Sequence, residues 1–125
     1  MTRILCVEDS EDSLFTLHKR LGLAGFEVKV ATNGVEGVDW AKTLLPDLIV
    51  MDLRLPGIDG WEATRRLKSQ PETKHIPIIV VTADSSEKSR EKAYAAGCDE
   101  FEVKPVQFEK LLKKIQSLLG QGGQT

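Results

Sequence analysis

Apolar positions along this chain follow two alternating rhythms. Short β-branched runs occupy Ile4–Val7, Val28–Ala31, Leu48–Met51, Ile76–Val81 and Phe101–Val103. Leu48–Met51 and Ile78–Val81 are continuously apolar, as strands buried on both faces of a parallel sheet are. Helix-period stripes lie between the runs. Leu14, Leu17 and Leu21 form one, closed by Gly25; Val35, Val38, Ala41 and Leu45 form another, stopped by Pro46. Trp61, Thr64, Leu67 and Lys68 follow Gly60. Asp84 and Glu87 resemble a capping box for a helix running to Ala96, with Gly97 as its C′ residue. Phe108, Leu111, Leu112, Ile115, Leu118 and Leu119 make the last and strongest stripe.

Five strands alternating with five helices predict βαβ units, hence an α/β fold: a doubly wound five-stranded parallel sheet with helices on both faces. Ligands bind such open sheets at the carboxyl ends of the strands. Glu8 and Asp9 follow the first strand, Asp52 the third, Thr82 the fourth, and Lys104 with Pro105 the fifth. Three carboxylates at one sheet edge repel one another and raise each other's pKa unless a divalent cation sits among them. Oxygen-only donors suit a hard ion, and magnesium commonly takes a couple of carboxylates with waters and phosphate oxygens. A lysine and a hydroxyl are good partners for phosphoryl oxygens. The group therefore reads as a phosphoryl-transfer site, in which an aspartate can itself be the nucleophile.

Composition narrows the alternatives. The 125 residues suit one domain, placed at 1–119, with the glycine-rich segment 120–125 expected to be a flexible tail. Lys and Arg number 17 against 19 Asp and Glu, a net charge of −2, which gives no electrostatic footprint for nucleic acid. Apolar runs are too short for a membrane span, and Glu8-Asp9 arrives too early for a signal peptide. Cys6 and Cys98 make neither a disulfide framework nor a metal pair. A reduced cytoplasmic protein without direct nucleic-acid or membrane partners is expected.

Together these motifs resemble the receiver domain of two-component response regulators, of the single-domain chemotaxis-regulator type. The resemblance covers roughly residues 3–119. Its carriers are Glu8-Asp9, the stretch Asp52-Leu53-Arg54-Leu55-Pro56-Gly57-Ile58-Asp59-Gly60, Thr82-Ala83 and Lys104-Pro105. It implies a flavodoxin-like (βα)5 fold with strand order 2-1-3-4-5. It also implies that Asp52 accepts a phosphoryl group from a sensor histidine kinase or histidine phosphotransfer protein. Asp9 would bind Mg2+ directly, Glu8 through water, and the Arg54 carbonyl would complete the protein ligands. Thr82 would hydrogen-bond the phosphoryl group and Lys104 would pair with it. Phe101 stands where the family carries its switch aromatic, and Lys104-Pro105 is a candidate cis peptide. The whole would be a phosphoacceptor switch acting on a downstream protein target, not an enzyme in its own right, although it assists its own phosphorylation and dephosphorylation.

Plainer readings stand beside these. Phe101 is equally a core aromatic, and a phenylalanine that switches does so by burial alone. Glu11 and Asp12 read as an acidic helix start; Gly57 and Gly60 as turn formers; His18 and His75 as residues without chemistry; Cys6 and Cys98 as small buried hydrophobes. Arg54 and Asp84 leave strand ends on the same edge; they either pair across the site's mouth or stand as two solvated loop charges. A magnesium phosphatase of the haloacid dehalogenase type needs an aspartate two residues after its nucleophile, where this chain has Arg54. A flavodoxin-like nucleotide binder needs a phosphate cradle after the first strand, where this chain has Glu8-Asp9-Ser10-Glu11-Asp12. A receiver that only docks would have lost Asp9, Asp52 or Lys104, and all three are present.

Overall fold

The computed structural model describes residues 1–120. Its elements run β1 (Arg3–Val7), α1 (Glu11–Leu23), β2 (Glu27–Ala31), α2 (Gly34–Leu44), β3 (Leu48–Asp52), α3 (Gly60–Lys68), β4 (Ile78–Thr82), α4 (Glu87–Ala96), β5 (Glu100–Val103) and α5 (Phe108–Leu118). All strand pairs are parallel, in the order β2-β1-β3-β4-β5. The doubly wound sheet expected above is the fold observed.

The alternating pleat of the strands sends apolar side chains to both faces, so two cores form. Leu5, Val7, Ile49, Met51, Ile78, Val80 and Phe101 pack against α2, α3 and α4 through Val38, Ala41, Ala63, Leu67 and Ala93. Ile4, Cys6, Leu48, Val50, Ile79 and Val81 pack against α1 and α5 through Leu17, Leu21, Leu111 and Ile115. All five residues of β3 and of β4 are buried. That is why those two runs lack alternation.

Several details differ from the expectation. β4 begins at Ile78 rather than Ile76: Pro77 has no N–H to give to a ladder, although Ile76 is still buried and the Pro77 carbonyl accepts from Ile49 N. β3 extends one residue further and ends on Asp52. Val35 on α2 and Leu45, its C-cap, are exposed, and the buried face of the helix is Gly34, Gly37, Val38 and Ala41. Gly37 is buried because its position lies against the Val7 side chain. The cap of α4 is Ser86, whose hydroxyl accepts from Ser89 N, so Asp84 and Glu87 form no capping box. Gly97 does end that helix, left-handed at φ 109°. The expected tail, apart from Gly120, lies outside the described residues. Among the described residues no helix is long and apolar enough to cross a membrane.

Candidate functional site

The parallel register brings four strand ends to one edge. Asp52 closes β3 and stands beside Val81; Thr82 closes β4 and stands beside Val103; Glu8 follows β1 and Lys104 follows β5. The backbone fixes each position, with Glu8 N donating to Ala31 O at 3.0 Å and Lys104 N to Thr82 O at 2.7 Å. The peptide Lys104-Pro105 is cis.

Glu8, Asp9 and Asp52 each offer one carboxylate oxygen, and these atoms all lie within 4.8 Å of one another. Glu8 and Asp52 are buried, while Asp9 is exposed. Asp9 and Arg54 also line an open cavity of about 550 Å³ together with Leu53, Leu55, Pro56, Asp59 and Trp61. Lys104 reaches across the cluster. Its Nζ lies 2.5 Å from Glu8 Oε1, 3.6 Å from Asp52 Oδ2 and 3.5 Å from Ser13 Oγ.

The Asp52 carboxyl is pushed up to about 6. Burial is the first cause; the next are a hydrogen bond to Glu8, which only a protonated carboxyl can share, and the Glu8 charge. Lys104 and the Arg54 N–H, 3.4 Å from Oδ1, oppose the rise without cancelling it. A buried carboxylate held this far above its ordinary range, beside two more, is short of positive charge. The donor set fits a hard divalent cation.

Thr82 is wholly buried, and its Oγ1 accepts from Asp84 N at 3.2 Å. Phe101 is also buried, with the Arg90 guanidinium 5.5 Å from its ring centre. Arg54 and Asp84 line one shared cavity but make no ion pair within 4.0 Å, against the reading that pairs them and in keeping with two separate loop charges. The reason is local: Asp84 Oδ1 turns to the start of α4 and accepts from Ser86 N at 2.9 Å.

Sequence reasoning also missed the tie between Lys104 and Glu8, 96 residues apart. Nothing in the linear pattern carries it. The sequence marks Gly60 as a turn former, yet its constraint is contact: a Cβ there would run into the Asp52 carbonyl oxygen and the Leu53 Cα. Gly57, at φ 78°, is a turn glycine as expected. Cys6 and Cys98 are buried and free, and burial pushes both thiols up to about 12, so neither has thiolate character. Glu8 Oε2 accepts from Ser10 N at 3.0 Å, which occupies a loop amide that a phosphate cradle would need.

Fold and site together define a flavodoxin-like α/β domain with an acidic pocket at the carboxyl edge of its sheet. The chain belongs to the response regulator receiver domain family, whose model matches residues 4–116. It is a receiver domain of two-component signalling. It is 39% identical over 119 residues to protein PilH of Pseudomonas aeruginosa, covering 95% of this chain and 98% of PilH. It is 35% identical over 117 residues to the polar-differentiation response regulator DivK of Brucella anthropi, covering 94% and 95%. Among solved structures, the receiver domain of a Pseudomonas aeruginosa sensor histidine kinase superposes with a TM-score of 0.90 at 32% identity, covering 95% and 98%. That structure carries a magnesium ion in its active-site cleft.

Proposed function

We propose that this chain is a phosphorylation-controlled switch. Asp52 takes a phosphoryl group from a phosphohistidine on a sensor kinase or phosphotransfer protein, and the altered surface then acts on a downstream protein partner. The observation that carries this reading is the convergence of Glu8, Asp9 and Asp52 within 4.8 Å, with Lys104 reaching across to Glu8 and Asp52. Residues 1–119 act as the one functional domain, in the cytoplasm, and reach neither nucleic acid nor membrane directly.

An Asp52 oxygen attacks phosphorus; the bond from phosphorus to the imidazole nitrogen breaks, and the imidazole leaves. With its pKa near 6 the carboxyl is still mostly ionised at neutral pH, and it is more basic than an ordinary aspartate. Glu8, Asp9, Asp52 and the Arg54 carbonyl are the groups that would hold Mg2+. When bound, the ion supplies charge neutralisation for the carboxylates and the incoming phosphoryl oxygens. Lys104 then has a stronger partner than Glu8, because a phosphoryl group on Asp52 carries nearly two charges. Thr82 offers its hydroxyl proton to a phosphoryl oxygen, which disturbs the bond that its Oγ1 now accepts from Asp84 N. Phe101 repacks as the β4 end moves. Water later attacks phosphorus and frees Asp52, so the same groups assist loss as well as gain of the phosphoryl group.

The test is labelling by a small phosphodonor. With Mg2+ the protein gains one acid-labile phosphoryl group, and with a chelator it gains none. Asp52→Asn stays unlabelled, and stoichiometric labelling of that variant would reject the site.

A further inference from the structure

The segment from Thr82 to Ser89 satisfies itself by a ladder of short bonds. Thr82 Oγ1 accepts from Asp84 N at 3.2 Å, Asp84 Oδ1 from Ser86 N at 2.9 Å, and Ser86 Oγ from Ser89 N at 3.1 Å. The ladder ends on a defect. Ser89 is 4% exposed, and among the described residues its hydroxyl has no hydrogen-bond partner. Helix caps explain how this arises. The third helical residue after a serine cap is favoured as Glu or Gln, which reaches back to the cap's own N–H. Here that residue is Ser89, too short to reach, and Asp84 has taken the Ser86 N–H instead. The Ser86 amide is the main reason why the Asp84 carboxyl sits below its ordinary range. The Ser89 hydroxyl contributes last, close enough to act on the carboxylate but without hydrogen-bond geometry. A buried, unmade hydroxyl bond raises the free energy of the state that contains it.

We infer that Ser89 is a positioning residue of the switch: its hydroxyl is the partner that Asp84 takes in the phosphorylated state. This rests on the proposed function of Asp52 and Thr82. When the Thr82 hydroxyl turns to a phosphoryl oxygen, the Asp84 amide loses the acceptor that pins it. The Asp84 carboxylate is then free to swing from Ser86 N toward Ser89 Oγ. The resting state carries the unmade bond and the switched state makes it, so the pair favours switching. By linkage it also favours whatever occupies Asp52.

The test measures affinity for beryllofluoride with Mg2+, a mimic of a carboxyl-bound phosphoryl group, in a double-mutant cycle of Ser89→Ala and Asp84→Ala. Each single variant is expected to bind the mimic about three- to tenfold more weakly, as loss of one hydrogen bond of ordinary net strength implies, and the double variant little more weakly again. Melting of the metal-free protein reads the resting state, where Ser89→Ala is expected to raise the melting temperature and to couple to position 84 more weakly than it does in mimic binding. Additive losses of mimic affinity, unchanged affinity in Ser89→Ala, or a lowered metal-free melting temperature would overturn the inference. If the wild-type chain does not bind the mimic, or Asp52→Asn binds it equally well, the reading of Asp52 fails and the Ser89 inference falls with it. If Asp52 behaves as proposed and only the cycle is additive, the Ser89 inference alone fails.

Discussion

Asp52 concentrates the chemistry of this domain in one carboxyl group, and its environment makes a prediction with a definite sign. In the folded, metal-free protein it titrates near 6, against an ordinary value of 3.8. Between these values the folded state keeps a proton that the unfolded chain has lost. Stability of the metal-free protein therefore falls as pH rises from about 4 to about 6, and the penalty is fully present above that range. Asp52→Asn removes the penalty. In a chelator at pH 7.5 it should stabilise the protein by on the order of 1–3 kcal/mol, read as a higher melting temperature. At pH 4 it should change little, and a gain of equal size there would contradict the assigned cause. Asp9→Asn relieves the same crowding from an exposed position, so its metal-free gain should be smaller, while the stabilisation by Mg2+ should be lost. Residue identities at the strand ends were legible in the sequence because strand, motif and order agree. The Lys104–Glu8 tie and the turn of Asp84 onto Ser86 were not, because they depend on which of several donors lies nearest in space.

At the scale of elements, hydrophobic period placed all five strands and five helices, and errors gathered at ends and faces. Pro77 shortened β4, and glycines rather than Val35 and Leu45 supplied part of the buried face of α2. Such faces are chosen by the neighbouring strand, here Val7, and periodicity does not carry that information. The junction of β3 and α3 is the tightest joint near the site. Gly60 N donates to Leu53 O at 2.9 Å, and the position lies hard against the Asp52 carbonyl. Gly60→Ala should therefore cost about 1–3 kcal/mol, the usual range for overpacking. Chemical denaturation measures it, and a neutral result would mean that the joint opens easily. Ser86→Ala removes the α4 cap and should cost about 1 kcal/mol, whereas Asp84→Ala should cost less if Ser86 rather than Asp84 is the cap.

For the whole molecule, two cores hold the sheet while its carboxyl edge carries buried acid groups opposed by one lysine. A ligand bound only by the folded state stabilises it by mass action, by about 2.7 kcal/mol at a hundredfold excess over Kd. Added Mg2+ should accordingly raise the melting temperature of the wild-type chain but not of a variant lacking both Asp9 and Asp52. Equal shifts in the two proteins would place the ion elsewhere. The central claim is that Asp52 itself carries the phosphoryl group, and reductive trapping tests it most directly. Borohydride reduces an acyl phosphate to the alcohol, so a phosphorylated aspartate is recovered as homoserine in the peptide that contains it. Phosphorylated protein, reduced and digested, should yield homoserine at position 52 and at no other aspartate. Intact Asp52 with homoserine at position 9, or acid-labile phosphate that leaves no reduced residue, would contradict the account.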